Sequence, residues 1–188
     1  ARLDHIVGDV LDFARPVTVE PAPIDLNALC REAAAAAMAG DDAPVCRLDL
    51  DPSLGPVVTD GERLRAALVN LLSNAREAVM EGGEGAAAGP ARPGGPPDVE
   101  LRTRLQDGRV AIVVEDRGSG LQPADLTHAF EPYFTTKRTG TGLGLAIAKN
   151  IVDSLGGTLT AQPRQPSGAR LQVELPAGAP ARPAAGGR

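Results

Sequence analysis

The chain has 188 residues, of which 43% are hydrophobic but only 2% aromatic, and its formal net charge is −5 at pH 7. This length fits one domain with short appendages, and the negative charge argues against nucleic acid as the main partner. The sequence has no apolar run close to the roughly 20 residues of a membrane span, and no secretory signal. Cys30 and Cys46 are the only cysteines, and we interpret them as small hydrophobes in a reduced compartment.

The first predicted element is a helix that ends before Pro16. Its apolar residues recur three or four positions apart, at Leu3, Ile6, Val10 and Phe13. Two heptads fit a coiled coil and a plain amphipathic helix equally well, so both interpretations stay open. Pro21 and Pro23 then indicate a linker. The sequence therefore predicts a helical segment over residues 1–16 and a linker over residues 17–24.

Two helices with aspartate caps are predicted in the next part of the chain. Asp25 caps a helix that runs to about residue 38, and Asp60 caps a longer one that runs to about residue 80. Short strands are predicted over residues 46–50 and 56–59. Residues 81–98 are mostly Gly, Ala and Pro, which favours a flexible loop because such a segment buries little apolar surface.

A β-hairpin is the strongest local prediction. Apolar and polar residues alternate over residues 99–105 and 110–114, and Asp107-Gly108 supplies a two-residue turn. A helix from Gly144 follows, then a strand pair over residues 158–161 and 169–175 and a disordered tail over residues 176–188. Together these elements predict an α+β fold, a two-layer α/β sandwich with helices on one face of a mixed, mostly antiparallel sheet.

Asn70 and Asn74 are the first candidate site residues. They are four residues apart on the long helix and project from one face, at the edge of its predicted buried stripe. The stripe comprises Leu64, Leu68, Leu71, Leu72 and Ala75. Amide oxygens suit Mg²⁺, which takes many of its ligands from phosphates. Taken alone, the pair is explained as well or better by solvated or capping amides.

Asp116 is the second candidate, because it ends a strand and is followed by Gly118 and Gly120. A semi-buried carboxylate can accept a hydrogen bond from an exocyclic amino group such as that of adenine. The glycines let the chain turn and leave room for the base. Taken alone, this segment is explained better as an ordinary turn at the end of a strand.

A glycine-rich segment at a helix start is the third candidate. Backbone N–H groups in this position bind phosphate oxygens, with help from the helix dipole. The segment offers bare backbone and hydroxyl groups at Thr139, Gly140, Thr141, Gly142 and Gly144. Lys137 can neutralise a terminal phosphate. The P-loop and dinucleotide-binding fingerprints are both absent, so the segment is a different kind of phosphate loop, which we favour over a flexible hinge.

Residues 121–142 are predicted to form a lid. Phe130 and Phe134, two of only three phenylalanines, either pin this lid to the core or fill a local hydrophobic cluster, and their spacing does not separate the two. For His128, in the same segment, a solvated loop histidine is favoured over a catalytic one.

With these segments in this order, the chain resembles the catalytic, ATP-binding domain of bacterial sensor histidine kinases, a fold shared with gyrase, Hsp90 and MutL ATPases. The resemblance covers residues 25–175. It rests on Asn70-Leu-Leu-Ser-Asn74, Asp116-Arg-Gly-Ser-Gly120, Phe130-Glu-Pro-Tyr-Phe134 and Gly140-Thr-Gly-Leu-Gly144. Residues 130–137 and 140–157 are similar to the nitrogen-regulation branch. Residues 1–16 resemble the C-terminal part of the dimerisation and phosphotransfer helix.

The resemblance implies ATP and Mg²⁺ as ligands and a role for each site residue. Asn74 would coordinate Mg²⁺, Asn70 would support the metal and phosphates, and Lys137 would approach the γ-phosphate. Asp116 would contact the adenine amino group. The adenine pocket would be shaped by Gly118 and Gly120, and the phosphate side by Thr139, Gly140, Thr141, Gly142, Leu143 and Gly144. Many members carry a basic residue three positions after the metal-binding Asn, where this chain has Glu77, next to Arg76.

The resemblance also implies partners. The γ-phosphoryl group would pass to a histidine on the dimerisation segment of the same protein and then to a response regulator. The family's acceptor histidine precedes an acidic residue, whereas His5 precedes Ile6, so we expect the acceptor to lie outside this sequence. The N-terminal helix offers a possible homodimer contact. The domain is expected in the cytoplasm, whether or not the full-length protein has a membrane anchor.

Three other activities were weighed against the kinase. Gyrase-like ATPases place a glutamate at the position of Asn70 to activate water, and an amide lacks the basicity for that task. A non-catalytic nucleotide-binding or dimerisation module is disfavoured because Asn74, Asp116 and the three lid glycines are all present. A serine kinase of the anti-sigma type shares the fold, but residues 3–16 and 130–137 favour the histidine kinase.

Overall fold

The computed structural model describes residues 18–40, 43–82, 97–122, 124–135 and 140–178. Its elements are, in chain order, β1 (Ala22–Ile24), α1 (Leu26–Ala37), β2 (Cys46–Asp49), β3 (Val57–Thr59), α2 (Gly61–Glu81), β4 (Val99–Gln106), β5 (Arg109–Asp116), α3 (Gly144–Ser154), β6 (Thr158–Pro163) and β7 (Ala169–Pro176). The predicted helix over residues 1–16, together with Lys137, Thr139 and the tail beyond residue 178, lies outside the described residues.

The main sheet has five strands in the order β2-β4-β5-β7-β6. Strand β2 pairs with β4 in parallel, and the other three pairings are antiparallel. Strands β1 and β3 form a separate antiparallel pair. The three helices pack against the main sheet, so the predicted α+β sandwich with a mostly antiparallel sheet is confirmed.

The core lies between the helices and one face of this sheet. The predicted stripe on α2 is buried, with every one of its five residues at most 1% exposed. Val110, Ile112 and Val114, alternate residues of β5, meet it from the sheet. Within the described ranges, no helix is both long and apolar enough to cross a membrane.

The predicted Asp-Gly hairpin is also confirmed. Gln106 pairs with Arg109, so Asp107 and Gly108 are the two turn residues. Their φ angles are 51° and 72°, the left-handed conformation that such a turn requires at both positions. The turn aligns β4 and β5 along eight residue pairs and so fixes where Asp116 falls at the end of β5.

Residues 22–24, predicted as part of a linker, instead form strand β1. Ala22 pairs with Thr59 and Ile24 with Val57. The proline between them, Pro23, is compatible with a strand because a two-stranded ladder leaves each strand one unpaired edge. The C-terminal boundary also differs, since Pro176 lies in β7 and the Ala177 N–H donates to the Gly108 carbonyl at 3.0 Å.

Asp60 joins the start of α2 to the chain that enters β1. Its Oδ1 accepts from the Arg63 N–H and its Oδ2 from the Glu20 N–H, both at 3.1 Å. Asp60→Ala removes both bonds, and we expect it to lower the free energy of unfolding by about 1–3 kcal/mol. Urea unfolding measures this. Asp60→Asn, which can still cap the helix, should lose less.

A matched control for this prediction is Asp25→Ala. Asp25 caps α1 through the Ala28 N–H at 2.9 Å, in the same capping geometry as Asp60. Its removal should cost about 1 kcal/mol, the usual value of a helix cap. If Asp60→Ala costs no more than Asp25→Ala, the bond to Glu20 does not stabilise the domain.

Candidate functional site

Helix α2 brings the first and last of the sequence motifs together. Asn70 and Asn74 are half-buried, at the edge of the buried stripe as predicted. A β-carbon placed on Gly144, the first residue of α3, would lie 3.1 Å from Asn74 Nδ2 and 3.4 Å from Asn70 Oδ1. A side chain at this position would therefore press on the amide pair, and glycine lets the start of α3 approach both amides closely. Asn70 Nδ2 also donates to the Ala66 carbonyl at 3.1 Å, which fixes the orientation of that amide.

The Asp116 segment rests on the same helix, one turn further on. Ala78 follows Asn74 by four residues, and a β-carbon on Gly118 would lie 2.3 Å from the Ala78 carbonyl carbon. The Ser119 N–H donates to the Ala78 carbonyl oxygen at 3.2 Å. Residues at intervals of four on α2 thus contact the start of α3 and the loop after β5.

The Asp116 carboxylate is held at the end of β5 and is only 4% exposed. It continues the alternation of β5 onto the face that the helices cover. Its Oδ1 accepts from the N–H groups of Gly118 at 2.9 Å and Ala169 at 3.2 Å. These bonds fix the orientation of the carboxylate on the face of the sheet that the helices cover.

The turn between β6 and β7 also shapes this site, and sequence reasoning did not include it. Gly168 has a φ of 108°, and a β-carbon there would lie 1.9 Å from the Asp116 carbonyl oxygen. Gly120, with a φ of 77°, packs on Gly168 in turn. Ser167-Gly168 is a turn signal in the sequence, but only the register of β7 against β5 places this turn beside Asp116.

The predicted lid contacts the glycine-rich loop through its backbone. The Tyr133 N–H donates to the Gly142 carbonyl at 2.9 Å, and both residues have positive φ, 67° and 70°. Phe130 packs against the core, whereas the Phe134 ring lies 5.8 Å from the ring of His128. Phe130 therefore contacts the core, and Phe134 contacts a neighbour within its own segment.

The start of α3 differs from the starts of the other helices. Asp25 and Asp60 cap α1 and α2, but the N-cap of α3 is Leu143, which makes no side-chain cap bond. The first turn of α3 contains no acidic residue. Its positive dipole end is therefore not offset by an acidic side chain of its own first turn, which favours a bound anion.

Arg76 has a partner away from the amide pair. Its Nη1 donates at 3.2 Å to the carbonyl of Ala37, the last residue of α1. Helix α1 has no basic residue in its own last turn, so Arg76 supplies the cation that a helix C-terminus favours. The neighbouring Glu77 is exposed.

A cleft of about 490 Å³ opens elsewhere, between β1, the start of α1 and the loop before β3. It is lined by Pro23, Ile24, Asp25, Asn27, Arg31, Pro52, Leu54, Gly55 and Pro56. None of the predicted site residues belongs to this lining, so the cleft is distinct from the region where the motif residues meet.

Residues 59–179 match the family described as histidine kinase-, DNA gyrase B- and HSP90-like ATPase. This segment contains all four motifs and every candidate site residue, including Lys137 and Thr139.

The chain is similar to three sensor proteins. It is 34% identical over 179 residues to the sensor histidine kinase ZraS of Klebsiella oxytoca and covers 36% of that protein, with 93% of this chain aligned. It is 34% identical over 184 residues to the two-component sensor PprA of Pseudomonas aeruginosa, covering 96% of this chain and 19% of PprA. It is 31% identical over 178 residues to the sensor protein FixL of Bradyrhizobium diazoefficiens, covering 94% of this chain and 33% of FixL.

Solved structures give the same result. ShkA, solved at full length in complex with AMPPNP, superposes with a TM-score of 0.77 at 29% identity, over 96% of this chain and 37% of ShkA. The mycobacterial sensor histidine kinase MprB gives a TM-score of 0.66 at 25% identity, over 84% of this chain and 97% of the MprB chain. The chain therefore belongs to the histidine kinase-, DNA gyrase B- and HSP90-like ATPase family, and its relatives are sensor histidine kinases.

Proposed function

We propose that this chain is the ATP-binding catalytic domain of a two-component sensor histidine kinase. It binds ATP with Mg²⁺ and transfers the γ-phosphoryl group to a histidine on a dimerisation segment of the same protein, for relay to a response regulator. The observation that carries this proposal is the shared face of α2, where Asn70 and Asn74 meet the start of α3 and Ala78 meets the loop after Asp116.

Asp116 is the residue we assign to the adenine. Its Oδ1 is engaged by two backbone N–H groups, which hold the carboxylate in one orientation. A carboxylate accepts hydrogen bonds only, so it selects a base with an exocyclic amino group. Gly118 and Gly120 let the chain after β5 pack closely against Ala78 and Gly168, and this packing supports the position of Asp116.

The start of α3 is the region we assign to the phosphates. Gly140, Gly142 and Gly144 leave the backbone bare, and α3 begins without an acidic cap. Thr141 and Leu143 belong to the same turn, in which the Leu143 N–H lies 3.4 Å from Thr141 Oγ1. Thr139 and Lys137 are assigned to the same region from the sequence alone.

The residues beside α3 also fit Mg²⁺ held jointly by protein and phosphates. In our proposal the protein's share comes from amide oxygens, which are ligands suited to Mg²⁺. Asn74 is the direct ligand in our proposal, and Asn70 supports it. When bound, the ion neutralises charge on the phosphate oxygens.

We infer phosphoryl transfer rather than hydrolysis from Asn70. Its amide cannot take a proton from water, so the site lacks at this position the base that a hydrolase would need. The residues of the site instead position the nucleotide and exclude water, and positioning with charge stabilisation is sufficient for transfer to a histidine.

The wider assignments rest on sequence resemblance. Residues 130–137 and 140–157 suggest the nitrogen-regulation branch of the kinases. Residues 1–16 suggest the end of a dimerisation helix, through which two copies could associate. This chain spans about a third or less of the three relatives, so the full-length protein's partners are part of the proposal.

The activity is tested by phosphorylation in trans. The domain is mixed with a dimerisation segment that carries the acceptor histidine, and γ-labelled ATP is added. We expect label on the segment that is lost in acid and kept in base, as for phosphohistidine, and no label on the domain itself. Asn74→Ala should reduce the initial rate by at least about a hundredfold, because transfer depends on the metal-bound phosphates.

Two outcomes would contradict this function. Release of inorganic phosphate without transfer would identify a hydrolase. Acid-stable label on a serine would identify a serine kinase of the same fold.

Gly144→Ala should weaken ATP–Mg²⁺ binding and leave the stability of the fold nearly unchanged. The new methyl group would crowd both amides, so we expect about a tenfold or greater loss of ATP–Mg²⁺ affinity in calorimetry. Stability should change by less than about 1 kcal/mol, because alanine favours the helix and offsets the crowding. Gly61→Ala is the matched control, since Gly61 also begins a helix and its β-carbon would lie 3.2 Å from Ile24 Cγ2. If Gly144→Ala and Gly61→Ala bind ATP–Mg²⁺ with equal affinity, the start of α3 does not belong to the nucleotide site.

A further inference from the structure

The sheet face opposite the helices carries charged residues in cross-strand pairs. Arg47 Nη2 contacts Glu100 Oε1 at 2.5 Å, and Arg104 pairs with Asp49. In each of these pairs one guanidinium faces one carboxylate, so this part of the face is electrically balanced.

Near the end of β5, positive side chains outnumber negative ones. Three arginines surround the single carboxylate of Glu115: Arg102 Nη2 at 2.5 Å, Arg170 Nη1 at 3.5 Å and Arg164 Nε at 3.8 Å. Only Arg102 is close enough for a strong charge-assisted bond. The group therefore has a net positive charge.

Some nitrogens of this region also have unmet hydrogen bonds. Arg117 Nε, Arg164 Nη1 and Arg170 Nε are buried and have no hydrogen-bond partner among the described residues. A buried donor without an acceptor destabilises the fold, and it does so more strongly when it is charged. Such a group indicates that an acceptor is needed at this position.

The strand register brings these arginines to one place. Glu115 pairs with Arg170, and Arg117 lies just beyond the end of β5, two residues after Glu115. The Arg164 N–H donates to the Gly168 carbonyl at 2.9 Å, which closes the β6–β7 turn beside Arg117. A β-carbon on Gly168 would lie 3.1 Å from the Arg117 Cα.

We propose that Arg117, Arg164 and Arg170 bind a tetrahedral oxyanion, a phosphate group. Three unmet donors on three arginines match the four oxygens of phosphate better than the two oxygens of a carboxylate. The site is distinct from the nucleotide site, because Glu115 and Asp116 are successive strand residues and face opposite sides of the sheet. It does not depend on the proposed kinase function.

The test is a titration of the ¹⁵N-labelled domain with inorganic phosphate, followed through the arginine Nε–H signals. Sodium chloride at equal ionic strength is the reference. We expect saturable shifts at Arg117 and Arg170 with phosphate but not with chloride. A parallel titration with phosphoserine distinguishes a free anion from a phosphomonoester, and tighter binding of either one identifies the source and supports the site.

Variants make the test specific. Combined Arg164→Gln and Arg170→Gln should weaken phosphate binding by at least about fivefold, because two charged donors are lost. Each single variant should weaken it by at least about twofold, which keeps the test valid if the double variant does not fold. Arg109→Gln is the control, since Arg109 lies at the other end of β5, with its Nε 3.6 Å from Glu174.

The proposal is overturned if chloride gives the same shifts as phosphate. It is also overturned if the glutamine variants and the Arg109 control bind phosphate equally. Binding of acetate or a glutamate-rich peptide without binding of phosphate would overturn it too, because that result would identify a carboxylate site.

Discussion

Asp116→Asn is expected to weaken ATP–Mg²⁺ binding by about ten- to a hundredfold, the usual cost of losing a hydrogen bond to a charged group. The asparagine oxygen can still accept from the Gly118 and Ala169 N–H groups, so these two bonds survive. Its amide nitrogen, however, is a donor and would face the donor amino group of adenine. Binding therefore falls because the charge and one acceptor are lost, while the fold is kept.

Calorimetric titration measures the affinity, and thermal unfolding without nucleotide measures the fold. Asp107→Asn is the matched control: it makes the same chemical change at the exposed hairpin turn, where φ is 51° and asparagine is tolerated. We expect wild-type affinity for this control. Unchanged affinity in Asp116→Asn would remove Asp116 from the nucleotide site, and a loss matched by lower thermal stability would assign it a structural role only.

Gly168→Ala is expected to lower the free energy of unfolding by about 2–5 kcal/mol and to weaken nucleotide binding as well. About 1–2 kcal/mol comes from a φ of 108° that alanine rarely adopts, and about 1–3 kcal/mol from overpacking. The new β-carbon would lie 1.9 Å from the Asp116 carbonyl oxygen, so the backbone must move. That movement displaces the Ala169 N–H, which holds the Asp116 carboxylate.

The variant Gly156→Ala separates the cost of the positive φ from the cost of overpacking. Gly156 has a φ of 73°, but a β-carbon there would meet nothing within 4 Å. It should therefore show the conformational cost alone, about 1–2 kcal/mol, with wild-type nucleotide affinity. Urea unfolding and calorimetry of both variants give the comparison. If Gly168→Ala is no worse than Gly156→Ala in either measurement, the β6–β7 turn does not support Asp116.

Local sequence was sufficient for most of the elements. The spacing of Leu64, Leu68, Leu71 and Leu72 identified the buried face of α2, and it placed Asn70 and Asn74 at its edge. The Asp107-Gly108 turn identified the central hairpin because both residues accept the left-handed conformation. These features depend on contacts within a few residues, which the order of side chains specifies directly.

Contacts between distant segments were not predicted. Strand β1 pairs with Thr59, Val58 and Val57, about 35 positions further along the chain. Its sequence lacks the usual strand pattern because Pro21 and Pro23 interrupt it. The bond from Arg76 to Ala37 was also not predicted, because a basic residue close to Asn74 suggests phosphate before it suggests the end of another helix. Such contacts depend on how helices and strands are placed relative to one another.

The sequence by itself determined which residues are chemically equipped for a nucleotide: two amides at helical spacing, a carboxylate between strand and glycines, and a bare helix start. The tertiary structure decided which backbone segments hold these residues in place. Ala78 supports Gly118, Tyr133 binds Gly142, and Gly168 packs on Asp116. It also decided that arginines from β4, β7 and the β6–β7 turn share one glutamate. The physical reason is that motifs record the side chains that a site needs, whereas register and helix packing bring distant segments into contact, such as those that contain Asn70 and Gly144.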